Sequence, residues 1–229
     1  RGPRVVGEMR IVIAGGHGKI ARDLSRELAR AGHEVTGLIR NEAHGADLMV
    51  DGAIPVVLDL EQASTEEVAL VLTGADVAVF AAGAGANSGD ARKMTVDFGG
   101  SVLLADAAET AGVPRFVQIS SIGADRVRDG AIPAGMDPGF VAYLRAKLAA
   151  EEDLTRRPLN WTIVRPGSLT DDPATGSVRL DTTEERGPIP RADVAAVLAE
   201  LIRTGAAERQ TLHLISGSTP VTDAVAAFA

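Results

Sequence analysis

Short apolar runs alternate with helical patterns along this chain, with one pair about every 20 residues. Runs rich in Val, Ile and Ala predict six strands, at residues 10–14, 33–40, 53–60, 75–83, 114–121 and 160–167. Apolar residues at helical spacing predict the helices between them, at residues 18–32, 65–74, 91–112 and 141–157. Strands joined by helices are parallel, and their right-handed crossovers place helices on both faces. The sequence therefore predicts an α/β fold with a Rossmann-type, doubly wound parallel sheet.

The composition fits this fold and excludes several functions. Hydrophobic residues make up 45% of the chain but aromatic residues only 3%, so the core must consist of small aliphatic side chains, as is typical of parallel strands under helices. The net charge of -8 disfavours nucleic acid as a partner. The absence of cysteine excludes disulfides and thiolate chemistry. No apolar run approaches the roughly 20 residues of a membrane helix, and we expect a cytoplasmic protein.

The chain is expected to form a single domain over residues 9–229. Residues 1–8 precede Met9 and are interpreted as an upstream extension or cloning remnant. After Gly167 the strand–helix alternation loosens into a turn-rich segment. Residues 168–229 are expected to complete one edge of the sheet and to form a small C-terminal cap over a substrate pocket. This part holds a predicted helix at 191–205, a strand at 210–216 and a final helix at 222–229.

The segment "AGGHGKIA" lies between the first predicted strand and the first helix. It places Gly15, Gly18 and Ala21 at the spacing G-x-x-G-x-x-A. Small residues here let the backbone turn tightly against a pyrophosphate, and the N-terminus of the helix offers unpaired N–H groups to the phosphates. A tight turn without a ligand is the alternative. The position in a strand–turn–helix unit favours dinucleotide binding, with His17 and Ile20 as further neighbours of the cofactor.

The end of the second strand bears on which dinucleotide binds. NAD-binding proteins usually carry an acidic residue there, whereas this strand ends in "LIRN" with Arg40. A guanidinium at this position can bind a 2′-phosphate, and Lys19 could add a second charge. Both bases could instead be solvated, and Glu42 leaves NAD open. We predict that NADP(H) is preferred and that NAD(H) is possible.

Other predicted cofactor contacts follow later strands. Asp59 could accept a hydrogen bond from the adenine amino group, or it could cap a turn. The small residues of "AAGAG" would let the backbone pass close to the ribose. The complete set of additional contacts is Asp59, Leu60, Ala81, Ala82, Gly83, Pro166 and Gly167.

The motifs "GGHGKIA", "LIRN", "LDLE", "FAAGAG", "TVDFGG", "VQISSIGA", "YLRAK", "TIVRPG" and "IPRADVAAVL" occur in this order. The chain from Met9 onward thereby resembles the short-chain dehydrogenase/reductase superfamily, and within it the atypical, NmrA-like or NAD(P)H-binding branch. The resemblance implies a nicotinamide cofactor and a Ser–Tyr–Lys catalytic set, usually joined by Asn. Matched by position, the set is Ser121 (with Ser120 in reserve), Tyr143 and Lys147. Asp97 takes the Asn position, and this departure leaves the proton relay open.

The chemistry of the Tyr143–Lys147 pair can be argued from the residues themselves. A phenol is a weak acid at neutral pH, and a cation four residues further along a helix lies on the same face and stabilises the phenolate. Lys147 could also bind the nicotinamide ribose, and the Ser121 hydroxyl could hold the substrate oxygen. The alternatives are that the Tyr143 motif is inherited but idle, and that Asp97 is only structural.

The remaining candidates predict no additional chemistry. The four histidines are scattered without metal-ligand spacing, so no metal is predicted. His44 is interpreted as a surface residue and His213 as a strand residue. Asp171 and Asp172 are expected to cap a turn, and Arg165 to anchor the end of the sixth strand.

These observations favour an NAD(P)H-dependent oxidoreductase that reduces a small or aromatic carbonyl compound or a quinone, with roles in secondary-metabolite tailoring or in supporting an oxygenation both open. The alternatives are a non-catalytic dinucleotide sensor and an NAD(P)-dependent epimerase or dehydratase. Residues 123–140 are expected to line the pocket, with Met136 and Phe140 indicating an apolar or aromatic ligand. The protein is expected to be a monomer or a homodimer.

Overall fold

The computed structural model describes residues 7–83 and 89–229, and a nine-stranded sheet runs through its centre. The strands of this sheet are β1 (Arg10–Ala14), β2 (Glu34–Ile39), β3 (Ile54–Val57), β4 (Val77–Phe80), β5 (Arg115–Ile119), β6 (Asn160–Pro166), β8 (Ser177–Asp181), β10 (Gln210–Ser216) and β11 (Thr219–Pro220). Two short strands, β7 (Ser168–Thr170) and β9 (Pro188–Pro190), pair with each other beside it.

The strands lie in the order β3-β2-β1-β4-β5-β6-β10-β8-β11. The first seven are parallel, and the last two pairings are antiparallel. Strands β1, β2 and β3 follow one another toward one edge of the sheet. The chain then crosses back to place β4 on the other side of β1. Ligands of such sheets bind where the strand order reverses, which here is the carboxyl end of β1 and β4. The predicted doubly wound Rossmann-type fold is confirmed.

Helices cover both faces of the sheet. They are α1 (Lys19–Arg30), α2 (Gly45–Val50), α3 (Thr65–Leu72), α4 (Asp90–Lys93), α5 (Gly100–Ala111), α6 (Pro138–Thr155), α7 (Arg191–Thr204) and α8 (Val221–Ala226). Helices α1 and α7 pack together on one face, and α3 and α5 pack together on the other. Successive residues of β1 supply the two cores in alternation, Ile11 and Ile13 toward the first pair and Val12 and Ala14 toward the second. None of the described helices is both long and apolar enough to cross a membrane.

The helix predicted over residues 91–112 is present, but its middle is not α-helical. Met94–Gly99 form a π-helix that joins α4 to α5. Asp97 lies in this segment and is fully buried. A Cβ at Gly100 would lie 3.3 Å from Cε2 of Phe80, so the helix packs closely against β4 at this position.

Two regions differ from the sequence prediction. Strand β3 is only four residues long, and Ile54 and Val57 are half exposed, because this strand contains Pro55 and forms the edge of the sheet. Residues 123–140 were expected only as a pocket-lining segment, but Ala124–Gly130 contain short 3₁₀-helical turns interrupted by a kink at Arg128 and Asp129. Of the segment after residue 167, β8, β10 and β11 extend the sheet beyond β6, as predicted for one of its edges.

Two glycines allow the turn after β1 to lie directly on β2. The Gly16 N–H donates to the Leu38 carbonyl at 2.9 Å. A Cβ at Gly16 would lie 2.8 Å from the Gly37 Cα, a backbone atom that cannot move aside alone. The contact therefore requires glycine at position 16, which the G-x-x-G-x-x-A pattern does not include.

We expect Gly16→Ala to lower the free energy of unfolding by roughly 1–3 kcal/mol, the usual range for overpacking a well-packed site. Gly89→Ala is the matched control, because Gly89 has an ordinary φ of -66° and nothing within 4 Å of a Cβ placed there. Urea denaturation followed by circular dichroism measures both. Equal stability of the two variants would contradict the assigned contact.

Candidate active site

Two cavities lie side by side at the carboxyl edge of the sheet. The first has a volume of about 360 Å³ and is bordered by the residues that follow β1, β2, β3 and β4. The second has a volume of about 570 Å³ and extends toward α6 and the start of α7. Ala81, Ala82 and Gly83 line both. The two cavities thus meet at the end of β4, and one elongated ligand could occupy both.

The turn after β1 fits a phosphate-bearing ligand. Gly15 has a φ of +77°, and a Cβ there would lie 2.5 Å from the Ala82 Cα. Gly18 is the N-cap of α1, and no side chain caps this helix. Its first N–H groups are therefore available to an anion, with the favourable end of the helix dipole behind them. Gly15, His17 and Gly18 all line the first cavity, which fits the pyrophosphate of a dinucleotide.

Charged side chains surround the far end of the first cavity. Arg40 lines it, and its side chain is 60% exposed. Its Nη1 lies 3.9 Å from Oε2 of Glu61, and the same oxygen lies 3.2 Å from Nη2 of Arg92. Glu61 and Arg92 were not predicted as site residues. Asp59 lines the cavity and also accepts a hydrogen bond from the Glu61 N–H at 3.0 Å, so the turn-capping interpretation holds for this carboxylate.

His44 was predicted to be a surface residue, and this was wrong. Its ring stacks on His17 with 3.7 Å between centroids, and both rings line the first cavity. Nε2 of His17 lies 2.7 Å from Oδ2 of Asp47. The short helical turn Glu42–His44 brings this ring back over the glycine loop, and nothing in the local pattern indicated that turn.

Lys19 does not support Arg40, and this prediction is corrected. Its Nζ lies 2.6 Å from Oδ2 of Asp171, and its side chain is 68% exposed on a separate surface depression. Asp171 also binds Nη1 of Arg191 at 2.7 Å. Lys19, followed closely by Arg191, lowers the pKa of Asp171. Asp171 is therefore an ion-pair partner rather than the predicted turn cap, while Ile20, one residue after Lys19, does line the second cavity.

Tyr143, Lys147 and Asp97 meet at the second cavity. Nζ of Lys147 lies 3.0 Å from Oδ1 of Asp97, 5.6 Å from the centre of the Tyr143 ring and 3.4 Å from the Ile119 carbonyl. Lys147 is only 4% exposed. Burial lowers the pKa of Lys147, but electrostatic interactions with Tyr143 and then with Asp97 raise it by more, and the net shift is upward. The ammonium therefore stays charged at neutral pH.

The serine assignment changes. Ser121 does not line the second cavity, and its hydroxyl donates to the Ile122 carbonyl at 3.1 Å. Ser120, the reserve candidate, lines the cavity instead. Its hydroxyl donates to Oε1 of Glu151. Strand geometry explains the exchange, because neighbouring residues at a strand end point in opposite directions.

A buried ion pair lies behind Ser120. Glu151 and Arg165 are each 4% exposed, and Nε and Nη2 of Arg165 bind the two oxygens of Glu151. Nη1 of Arg165 binds Asp125. Burial and then Arg165 lower the pKa of His213, its neighbour on β10. The predicted anchoring role of Arg165 at the end of β6 is confirmed.

The remaining predicted contacts divide between the cavities and the interior. Leu60 lines the first cavity and Pro166 the second. Gly167 lines neither, because a Cβ there would lie 2.1 Å from the Gly187 carbonyl oxygen, and this prediction is corrected. Ala84 and Gly85 of "FAAGAG" lie outside the described residues.

Several residues of the second cavity were missed or named only loosely. Phe140 lines it as expected, whereas Met136 packs in a small core beside α6. Lys93 and Leu169 also line it, and no motif marked them. Asp137 lies in the segment 123–140 that was expected to line the pocket, and Arg191 lies in the motif "IPRADVAAVL", but neither was named as a site residue. Within residues 7–83 and 89–229, no group of three or more His, Asp or Glu side chains could hold a metal ion.

The parallel sheet, the glycine turn and the joined cavities define a Rossmann-type dinucleotide-binding protein. The model of the NAD(P)H-binding family matches residues 15–204, and the chain belongs to this family. This bears out the resemblance to the NAD(P)H-binding branch of the short-chain dehydrogenases/reductases.

Full-length relatives agree with this assignment. The uncharacterized sugar epimerase YhfK of Bacillus subtilis is 31% identical over 218 residues, which are 95% of this chain and 99% of that protein. A Bacillus halodurans structure with the provisional name NAD-dependent epimerase/dehydratase has a TM-score of 0.86 at 35% identity, covering 96% and 99% of the two chains. The oxidoreductase ylbE of Lactococcus lactis has a TM-score of 0.84 at 27% identity, covering 96% of each chain.

The ion pair between Asp125 and Arg165 predicts a pH-dependent stability. Arg165 first, with Arg128, lowers the pKa of Asp125 from 3.8 to about 2. The folded-state pKa is depressed, so the stabilisation is complete above the unfolded value and is lost as the pH falls from about 4 to about 2. Asp125→Asn should lower the unfolding free energy by about 1 kcal/mol at pH 7, a value discounted for the 48% exposure of this side chain.

Urea denaturation at pH 7, 4 and 3 measures this difference. Asp172→Asn is the control, because Asp172 is exposed and its substitution by Asn removes the same charge. The difference in unfolding free energy between wild type and the Asp125 variant should become smaller toward pH 3. A difference that stays the same at all three pH values would refute the assigned ion pair.

Proposed function

We propose that the protein is an NAD(P)H-dependent reductase that transfers a hydride to a small conjugated carbonyl compound, with a quinone as the leading acceptor. One observation carries the proposal. The cavity beside the glycine turn continues past Ala81, Ala82 and Gly83 into a second cavity that contains Tyr143 and Lys147. A dinucleotide held by the glycine turn would therefore reach the residues that could act on its reactive end.

The chain's own residues would bind the cofactor and manage the proton. When bound, the dinucleotide supplies the hydride. Lys147 is the residue that would hold the nicotinamide ribose, and its charge would also stabilise the phenolate left when Tyr143 gives up its proton. Asp97 supports this role by compensating the buried ammonium at 3.0 Å.

The serines favour a conjugated acceptor over a simple ketone. The Glu151 carboxylate is paired with Arg165 and can only accept hydrogen bonds. In its contact with Glu151, the Ser120 hydroxyl must therefore be the donor. Only the lone pairs of the Ser120 oxygen then remain for a ligand in the cavity. Ser121 donates to a backbone carbonyl. Neither hydroxyl is oriented to stabilise an alkoxide, which an unconjugated ketone requires when hydride arrives. Tyr143 would be the main donor.

A quinone depends less on such a donor. Hydride addition to a quinone gives a hydroquinone anion whose charge is spread over the ring. That anion would take one proton, from Tyr143 or from water, to give the hydroquinone, and the two electrons of the reduction would arrive with the hydride.

The first cavity supports NADPH as the preferred cofactor. Arg40 and Arg92 both border Glu61 at the end where the adenosine ribose would lie. A 2′-phosphate could replace Glu61 as the partner of these guanidiniums, whereas a 2′-hydroxyl could bind Glu61 itself. The second possibility keeps NADH open.

An epimerase is the second candidate, because YhfK and the B. halodurans protein carry epimerase names. An epimerase would return the hydride to its product and would consume no NADPH. Its ketone intermediate would also need the donor that Ser120 does not offer. Steady NADPH consumption with a quinone distinguishes the two, and a folded protein that binds NADPH but consumes none would favour the epimerase or a dinucleotide sensor.

We expect Tyr143→Phe to retain its fold and NADPH affinity, because only a hydroxyl is lost. Its turnover of an activated ketone should fall by about 10²–10⁴, the usual value of a positioned acid. Its turnover of a quinone should fall by less than about tenfold, because water can supply that proton. Stopped-flow NADPH oxidation with both acceptors tests this. Full rates with both would show that Tyr143 is not the acid.

We expect Arg40→Ala to weaken NADPH binding by about tenfold, a modest effect because this guanidinium is exposed. NADH affinity should change little. Calorimetric titration of both cofactors measures the contrast. Arg30→Ala is the control, since Arg30 is an exposed arginine at the end of α1 that does not line the cavity. Equal losses for the two cofactors would count against a 2′-phosphate site at Arg40.

A further inference from the structure

We propose that Lys93 binds an anionic group of the substrate, so that the second cavity selects conjugated carbonyl compounds carrying a carboxylate, sulfonate or phosphate. That the bound anion is a substrate rests on the proposed reductase function, whereas the anion-binding site itself is argued from the geometry around Lys93. Lys93 is one of only three lysines, and no sequence motif marks it.

Lys93 is buried where a ligand would lie. It is 5% exposed and lines the second cavity together with Lys147. Its Nζ donates to the Gly139 carbonyl at 3.0 Å and to Oδ1 of Asp90 at 3.3 Å. An ammonium has three donors, so one N–H remains beyond these two contacts.

The charge of Lys93 is only weakly compensated. Asp90 is 65% exposed, and its 3.3 Å contact is longer than the roughly 2.7–2.9 Å of a strong charge-assisted hydrogen bond. Water screens such an exposed carboxylate, whereas a buried ammonium needs a close partner to offset its desolvation. An anion bound inside the cavity would supply that partner.

The other charged groups at this cavity are already engaged. Lys147 pairs with Asp97, and Arg191 pairs with Asp171. The carboxylate of Asp137 accepts a hydrogen bond from the Phe140 N–H as the N-cap of α6. It lies near Lys93, because a Cβ at Gly139 would be 3.1 Å from its Oδ1 and 3.3 Å from the Lys93 Nζ, but no ion pair joins the two side chains among the described residues. Among the described lining residues, Lys93 is thus the cation whose pairing a ligand would improve most.

The apolar wall describes the rest of the ligand. Phe140 and Leu169 both line the cavity and are 44% and 37% exposed, so part of their apolar surface is accessible to a ligand there. The Phe140 and Tyr143 rings stack with 5.7 Å between centroids. These residues offer flat apolar surface to a ring system, with Lys93 buried close by at Gly139. The combination fits an aromatic acid better than a neutral aromatic compound.

The test compares two ligands that differ in charge alone: 9,10-anthraquinone-2-sulfonate and its neutral sulfonamide. Binding is measured by equilibrium dialysis with saturating NADP⁺ present, so that the sulfonate cannot occupy the phosphate site at the glycine turn. Wild type should bind the sulfonate about tenfold more tightly, the usual effect of one charge-assisted hydrogen bond. Lys93→Met should reduce this ratio to below about threefold, with little change for the sulfonamide.

Two variants complete the design. Lys93→Arg should keep the preference for the sulfonate, because it keeps the charge. Arg30→Gln should also keep it, because it removes an equal charge from an exposed site outside the cavity lining. A wild-type ratio near one overturns the inference even if Lys93→Met does not fold, and so does a sulfonate preference that survives in folded Lys93→Met.

The outcomes separate this inference from the proposed function. If wild type shows the Lys93-dependent preference but oxidises no NADPH with either quinone, the anion site stands and the reductase function fails. If NADPH is oxidised equally well with both ligands, the reductase function stands and the anion site fails.

Discussion

The ion pair between Lys147 and Asp97 is the interaction on which the candidate site depends. Two buried charges are costly unless they compensate one another, and removal of one partner leaves the other unpaired. Here the pair connects α6 to the π-helical segment across the second cavity. Asp97 thus compensates the buried ammonium and also lines the second cavity. It keeps a cation beside Tyr143 without exposing that cation to water.

A second buried pair determines what the serine can do. Arg165 and Glu151 join β6 to α6, and Glu151 lies one helical turn after Lys147. The carboxylate that binds Arg165 also accepts a hydrogen bond from the Ser120 hydroxyl. The same helix therefore carries Tyr143, which we propose as the acid, the buried cation Lys147, and Glu151, which orients the Ser120 hydroxyl. A substitution of Glu151 would affect Arg165, Ser120 and the charge balance at Lys147 together. Such a variant would not isolate the contribution of any one of them.

The sequence predicted the features that depend on local spacing. Tyr143 and Lys147 share a helix face because they are four residues apart. Arg40, Asp59 and Ala81 follow parallel strands, whose ends meet at one edge of the sheet. The sequence predictions failed where they depended on the direction in which a side chain points, or on a turn that brings a distant segment to the cavity. Ser120 and Ser121 differ only in which side of the strand end they face, and Lys19 differs from Ile20 by one step around a helix. Lys93 and His44 reach the cavities through segments that no pattern distinguished.

The π-helical segment also has a consequence for how this helix can vary. A π-helical turn holds more residues than an α-helical turn, so it shifts the phase between the residues before and after it. Deleting one residue from 94–99 would restore an ordinary α-helix and turn its first part by about 100° relative to α5. Lys93 would then leave the cavity, although α5 would still bury the same residues against Phe80 and its neighbours. In this helix, the loss of one residue is thus enough to remove Lys93 from the cavity lining while α5 keeps its packing against the sheet.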